Sequence, residues 1–301
     1  MLFPDISCNP EPQLALDCIG ETFAAYRAAG VKSLTLLPAH LQKFQQETAY
    51  RQEFIRQAEQ NALALRDAHA PHGVAQSLGN RLPDGNQSCF NSLREALETV
   101  ADLGTRTLTV HTGRTRLVGT FAPESGEVPY ADLPSAMDRA KAVLEKILPL
   151  AERYSVVIAV ENLFLPSGCA DFVTELVTYF NHKNLGLCYD SGHALLLEKI
   201  PGKSSADIAQ WIRCGWDDDT VVFQDDQLDR MLSQVVTTHL HDNHGFDDEH
   251  LPPGEGIIDW QSVADRLSKA PRLMTLQCEV ANSHYADIGA TFPKWFGEFK
   301  N

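Results

Sequence analysis

The sequence predicts a single-domain α/β fold of the (β/α)8 TIM-barrel class. Short β-rich runs alternate with longer amphipathic runs along all 301 residues, which is typical of a parallel α/β fold. The number of strand-like runs, eight, favours a closed barrel over an open sheet. No Gly-x-Gly-x-x-Gly motif follows the first run, so a dinucleotide-binding sheet is disfavoured.

The side-chain period assigns each run to a strand or a helix. The predicted strands are 2–7, 32–37, 62–68, 105–111, 156–161, 185–190, 235–241 and 274–279. The predicted helices are 14–29, 47–61, 92–103, 133–154, 171–181 and 260–268. Two long connections, 113–131 and 194–233, are expected to cover the active-site end of the barrel. Because no repeat or Pro-, Gly- or Ser-rich linker divides the chain, we interpret residues 1–301 as one domain.

Composition narrows the functional classes. A net charge of −15 repels phosphate backbones, which disfavours a nucleic-acid substrate. No apolar run approaches the roughly 18 residues of a membrane span, and the first residues lack the pattern of a signal peptide. The seven cysteines form no Cys-x-x-Cys pair and are expected to be buried free thiols. We therefore expect a soluble cytoplasmic protein without a membrane partner.

Acidic and imidazole side chains stand at the ends of five predicted strands. They are His111, Glu161, Asp190, the pair His239 and His241, and Glu279. Apolar residues alternate with this polar set along the strands, so the polar set should face the barrel axis. Carboxylates and imidazoles crowded there would repel or desolvate one another unless a cation lay between them. The donor types suit Mn²⁺, Mg²⁺, Co²⁺ or Zn²⁺.

These residues also resemble a known family. The motifs are Glu161-Asn162, Asp190-Ser-Gly-His193, His239-Leu-His-Asp242-Asn243, Asp248-Glu-His250-Leu-Pro-Pro-Gly-Glu-Gly256, and Glu279. Their order and strand placement are similar to those of the xylose-isomerase-like, endonuclease IV-type TIM-barrel superfamily, over roughly residues 60–285. In sugar isomerases and epimerases of that superfamily, Glu, Asp, His and Glu from successive strands hold one metal. The resemblance therefore implies the metal ligands Glu161, Asp190, His239 and Glu279.

The same resemblance implies catalytic roles. Glu161 and Glu279 would double as the acid–base pair that moves a carbon-bound proton of a metal-chelated sugar. His239 is preferred to His241 as the ligand because of its spacing to Asp242, although both should point inward. The candidate substrate contacts are His72, His193 and His241.

Endonuclease IV, a phosphodiesterase, has three metals, and matches for its further ligands are present. These candidates for a second site are His69, His111, His193, Asp248 and His250. Departures from the DNA-repair pattern are Leu163-Phe-Leu-Pro166 after Glu-Asn, and His-Thr-Gly in place of His-Pro-Gly. The epimerase pattern is also incomplete, because Ser167 and Gly245 stand where a second Glu and an Arg are usual.

The favoured function is therefore a metal-dependent isomerase or epimerase of a small-molecule sugar, sugar phosphate or polyol. An endonuclease IV-like metal-dependent hydrolase or phosphodiesterase is the alternative, and a lyase or dehydratase is a third reading. The identity of the sugar and the oligomeric state, a homo-oligomer included, stay open.

Several other polar residues receive ordinary interpretations. His40, His182, His244 and His284 are expected to be solvated, and the aspartates at 217–219 to form a solvated loop. Arg114 and Arg116 are expected to pair with local acids on the surface.

Overall fold

Eight parallel strands close into a barrel in chain order in the computed structural model. The structure describes residues 3–73, 75–80, 84–114, 132–213, 215–216, 221–281, 283–284, 288–295 and 299. The strands are β1 (Ile6–Cys8), β2 (Ser33–Leu36), β3 (Ala64–His69), β4 (Thr107–Val110), β5 (Val157–Glu161), β6 (Leu185–Asp190), β7 (Val235–Leu240) and β8 (Leu276–Cys278). Each strand pairs with its neighbours, and β1 closes the barrel against β8. The predicted fold class is confirmed, while the single-domain reading of 1–301 stays a prediction.

Helices surround the strands. They are α1 (Ile19–Ala28), α2 (Pro38–Gln46), α3 (Thr48–Gln60), α4 (Gly85–Val100), α5 (Leu133–Tyr154), α6 (Ala170–Phe180), α7 (Ser191–Leu197), α8 (Gln210–Arg213), α9 (Gln227–Met231), α10 (Trp260–Leu267) and α11 (Ile288–Trp295). The predicted helix 14–29 begins later, at Ile19, and the predicted helix 92–103 begins earlier, at Gly85. Helices α2, α7, α8, α9 and α11 were not predicted from the sequence.

The two faces of each strand have different surroundings. Outward residues such as Leu108, Ile158 and Leu276 are fully buried in the main apolar core, beneath the helices. The lower interior of the barrel is polar instead. Thr107 donates a hydrogen bond of 2.6 Å to the Asp67 carboxylate, and Ser7 donates another to it. This hydrogen-bonded layer fills the bottom of the barrel and leaves the site at the carboxyl ends of the strands, which we call the mouth.

A second apolar cluster lies beside the mouth, and we call it the cap cluster. Its members are Leu163, Phe164, Leu165, Leu196, Leu197, Ile208, Ile212, Trp216 and Val221. It joins the segment after β5 to helices α7 and α8, so much of the long connection 194–233 is packed structure rather than open loop. The connection predicted at 113–131 lies almost wholly outside the described residues, as do Arg116 and positions 217–219.

Two sequence-based expectations are wrong. His40 is fully buried rather than solvated, because its ring accepts the Leu37 N–H at 3.1 Å and packs against Phe54. Burial lowers the pKa of His40 to about 4, so the ring is neutral. Cys18 is exposed rather than buried. No helix within the described ranges is long and apolar enough to span a membrane.

Candidate metal centre

Six neighbouring strands carry the candidate metal-ligand side chains to the mouth. They are His69 on β3, His111 after β4, Glu161 on β5, Asp190 on β6, His239 and His241 on and after β7, and Glu279 after β8. Strand registers place them together, because His239 pairs with Asp190 on one side and Gln277 on the other. Side chains that end parallel strands therefore converge, as the alternation of the sequence predicts.

The Glu161 carboxylate lies in the middle of the candidate metal centre. Its Oε2 lies 2.9 Å from His111 Nε2 and 3.3 Å from His69 Nε2. Its Oε1 lies 3.3 Å from the Nδ1 atoms of both His193 and His239. Four imidazoles thus surround one carboxylate that is 1% exposed.

The four residues expected to share a metal come together. One donor atom from each of Glu161, Asp190, His239 and Glu279 lies within 4.8 Å of all the others. His239 Nδ1 is 2.9 Å from Glu279 Oε2 and 3.8 Å from Asp190 Oδ2. The short contact to Glu279 lacks hydrogen-bond geometry. Donor atoms that approach without bonding each other are typical of ligands directed at a common ion.

His241 occupies a different place from His239. Its Nε2 lies 3.1 Å from both oxygens of Asp190, and its ring stacks on His250 with centroids 3.9 Å apart. Gly192 makes room for this ring, since a Cβ there would lie 2.0 Å from His241 Cε1. His241 is completely buried between these neighbours, and the substrate contact expected of it stays a prediction. In this position its ring supports Asp190.

His69 and His111 form a second donor group with Glu161. Their Nε2 atoms are 3.2 Å apart. His69 Nδ1 donates a hydrogen bond of 2.8 Å to the Ala70 carbonyl, which leaves Nε2 as the free ligand atom. Two ligands of one ion at about 2.0–2.1 Å in tetrahedral geometry are about 3.3 Å apart. The spacing of this triad fits a second ion.

A third donor group lies on the other side. Asp248 Oδ2 is 3.4 Å from His193 Nε2 and 3.3 Å from His250 Nε2. His250 Nδ1 donates to the Glu279 carbonyl at 2.8 Å, so its other nitrogen points at Asp248. The side chain of His250 is 30% exposed and faces the centre, not the outer helical ring. All five auxiliary candidates therefore border the primary tetrad.

Asp242 anchors the segment that carries Asp248 and His250. Its carboxylate accepts the Gly254 N–H at 2.9 Å and the Trp260 indole N–H at 2.9 Å. Backbone pairing between Asp242 and Leu251, together with a positive φ of 90° at Gly254, reverses the segment. The Pro-Pro-Gly run therefore folds the segment back over the mouth.

Asn162 also supports the centre, and the sequence reasoning gave it no role. Its amide oxygen accepts the Asp190 N–H at 2.7 Å, and its amide nitrogen donates to the Asp190 carbonyl at 3.0 Å. The Asp190 side chain accepts the His193 N–H at 2.7 Å and so begins α7. The sequence signal that could have pointed to Asn162 is its place directly after Glu161, the last residue of β5.

The aromatic wall of the mouth was likewise missed. Phe164, from the cap cluster, contacts the His193 ring edge-on at 5.0 Å and Trp211 at 4.8 Å. On the opposite side, the exposed His72 ring lies 4.8 Å from that of His111. His244 is exposed, as expected, and pairs with Glu249.

The buried carboxylates of the centre favour positive charge on the imidazoles around them. Burial opposes charge on His239, but Cys188 and the carboxylates of Glu279 and Glu161 outweigh it and hold the His239 pKa well above its usual value. Burial would raise the pKa of Glu161, yet the surrounding imidazoles hold it well below the ordinary range. For His250, contact with Asp248 outweighs burial and raises the pKa to about 9. Bound protons thus balance the carboxylates, and a cation could replace them.

A family model described as xylose isomerase-like TIM barrel matches residues 23–293. The chain belongs to this family. MJ1311 of Methanocaldococcus jannaschii is 26% identical over 181 residues, which cover 59% of this chain and 51% of that protein. The protein y4fM of Sinorhizobium fredii is 25% identical over 201 residues, covering 66% of this chain and 55% of that protein. The chain thus spans about half the length of the curated relatives it matches.

Solved structures share the fold at low identity. The 3-keto-D-glucoside 4-epimerase YcjR of E. coli superposes with a TM-score of 0.68 at 13% identity, covering 96% of this chain and 97% of that one. The IolI protein, solved with a bound zinc atom, gives 0.67 at 16% identity, covering 98% and 96%. A D-tagatose 3-epimerase-like protein gives 0.61 at 18% identity, covering 88% of each chain.

Proposed function

We propose that this family member is a divalent-metal-dependent sugar isomerase or epimerase. The proposal rests on the buried tetrad of Glu161, Asp190, His239 and Glu279, whose donor atoms lie within 4.8 Å of one another. Three carboxylates and an imidazole suit Mn²⁺, Mg²⁺, Co²⁺ or Zn²⁺. The zinc atom in IolI and the sugar epimerases among the structural neighbours support this choice.

The two glutamates would carry the proton transfer. A bound divalent ion would supply polarisation of two adjacent substrate oxygens, which acidifies the neighbouring C–H. Glu279, whose side chain is 19% exposed, would take the carbon-bound proton, and the electron pair would pass into an enediolate. Glu161, whose Oε1 lies 3.3 Å from the same His239 Nδ1, would return a proton to carbon. His72 and His193 would hold substrate hydroxyls.

Solvent exchange tests this chemistry. In deuterated water and at saturating metal, the wild-type chain should incorporate deuterium into a recovered ketose, whereas Glu279→Gln should show almost none. Gln keeps an oxygen donor and the side-chain volume but loses the basicity. Glu249→Gln is the matched control, because Glu249 carries an exposed carboxylate on the neighbouring segment and pairs with His244. Exchange by Glu279→Gln at the wild-type rate would contradict the assigned base.

A metal-dependent phosphoester hydrolase is the second candidate, and a specific observation favours it. Two further donor groups border the tetrad, one at His69 and His111 and the other around Asp248. If Glu161 bridged two ions, both its oxygens would be engaged and it could not act as a base. The net charge of −15 still disfavours a nucleic-acid substrate.

Metal stoichiometry separates the two candidates. One tightly bound ion per chain favours isomerisation, and two or three favour hydrolysis. Cleavage of nitrophenyl phosphates, with oxygen from labelled water entering the product and no carbon-bound exchange in any ketose, would replace the first proposal by the second.

A further inference from the structure

Gln277 lies inside the barrel, one layer below the mouth. Its neighbours on β8, Leu276 and Cys278, belong to the outer apolar core, so Gln277 faces the axis. Thr275, two residues earlier, confirms this direction because its hydroxyl bonds to Thr237 at 2.8 Å inside the barrel. Gln277 is 0% exposed.

The amide of Gln277 lacks partners. Neither its oxygen nor its nitrogen has a hydrogen bond to any described residue. A buried amide without partners is costly, so its presence needs an explanation. Most inward groups around it are already engaged. Ser7, its partner in register on β1, bonds to Ser33 and Asp67.

His239 is the register partner of Gln277 on β7, and one of its ring nitrogens also lacks a hydrogen-bond partner. Its Nδ1 faces Glu279 at 2.9 Å and Glu161 at 3.3 Å. Its Nε2 therefore points away from the carboxylates, and that atom is buried with no hydrogen bond inside the described part of the chain. Two adjacent inward side chains thus have one unmatched ring nitrogen and one unmatched amide oxygen.

We infer that Gln277 is a positioning residue for His239. In the metal-loaded protein, its amide oxygen would accept the Nε2–H of the imidazole and thereby fix the tautomer whose Nδ1 lone pair is free to bind the ion. This inference rests on the proposed metal-dependent function, since a ligand histidine needs a partner on its outer nitrogen.

Other groups fit this role less well. The oxygens of Asp67 are occupied by Ser7 and Thr107. The Cys188 thiol interacts with His239, but sulfur is a weak acceptor. An amide oxygen on the adjacent strand is the stronger acceptor.

The test measures metal affinity and imidazole tautomer. In a chelator-competition titration with Co²⁺, Gln277→Leu should bind one equivalent 10–100-fold more weakly, the usual cost of losing an outer partner of a ligand. Gln277→Glu keeps the acceptor and should bind within about threefold of wild type. Thr238→Val is the matched control, because it removes an equally buried, unpartnered hydroxyl from the other face of β7. In ¹H–¹⁵N spectra of the Zn²⁺-loaded protein, the Nε2–H of His239 should be protected from solvent exchange in wild type and should exchange faster in Gln277→Leu.

The outcomes are distinguishable. Wild-type affinity in Gln277→Leu, or an equal loss in Thr238→Val, would overturn the inference while leaving the proposed function intact. A loss in Cys188→Ala alone would move the role to the thiol. Failure of the wild-type chain to bind any Co²⁺ would overturn both. If the leucine variant does not fold, Gln277→Met, closer in shape, takes its place.

Discussion

Replacing Gly192 by alanine should disrupt the pocket that holds His241. The added Cβ would lie 2.0 Å from Cε1, 2.6 Å from Nδ1 and 2.7 Å from Nε2 of that ring. The ring cannot yield easily, because it touches both Asp190 oxygens at 3.1 Å and stacks on His250 with centroids 3.9 Å apart. It must move by about 1.4 Å to bring the 2.0 Å contact to an ordinary distance, and this movement breaks its contact with Asp190.

The size of the effect follows from these contacts. Overpacking of a tight interior costs about 1–3 kcal/mol, and a lost hydrogen bond to a charged group costs about 1.5–3 kcal/mol. The expected destabilisation is therefore about 2.5–6 kcal/mol. The entropy of unfolding of a 301-residue chain is about 0.6 kcal/mol per kelvin, so Tm should fall by about 4–10 °C.

Scanning calorimetry of the metal-free chain measures this change. Gly20→Ala is the control, because its Cβ would meet only the flexible end of Gln57, at 2.9 Å, and should leave Tm nearly unchanged. The clash also predicts coupling, so adding His241→Ala to Gly192→Ala should cost little more. An unchanged Tm in Gly192→Ala, or full additivity with His241→Ala, would refute this account of the pocket.

Three further outcomes are expected. Asp242→Ala should destabilise the chain by about 3 kcal/mol or more, because Gly254 N–H and the Trp260 indole lose a charged acceptor, and urea unfolding measures it. The folded pKa of His250 is raised to about 9, so its stabilising contribution is complete below about pH 6.5 and is lost as the pH rises through about 9. The Tm difference between wild type and His250→Gln, both metal-free, should therefore shrink over that range, and a constant difference would contradict the shift. His69→Ala should remove one bound ion, measured by metal analysis, if the His69 group holds one; an unchanged count would exclude that group.

The sequence alone predicted the barrel and most of the residues at its mouth. Both predictions depend on local pattern, because side chains alternate along a strand and strand-end residues of a parallel barrel share one edge. Glu161, Asp190 and Glu279 could be placed in this way without knowing any distance. Their roles as metal ligands stay predictions until an ion is measured.

Only the tertiary structure separated residues whose local patterns are alike. His239 and His241 point the same way from their strand. Strand register places His239 beside Glu161 and Glu279, whereas the space left by Gly192 lets His241 pack between Asp190 and His250. His40 looked like a solvated loop histidine, but it belongs to helix α2 and its ring is buried against Phe54. The unmatched amide of Gln277 is equally invisible in sequence. Distances between strands depend on register, on barrel closure and on contacts far apart along the chain, and no local period encodes them.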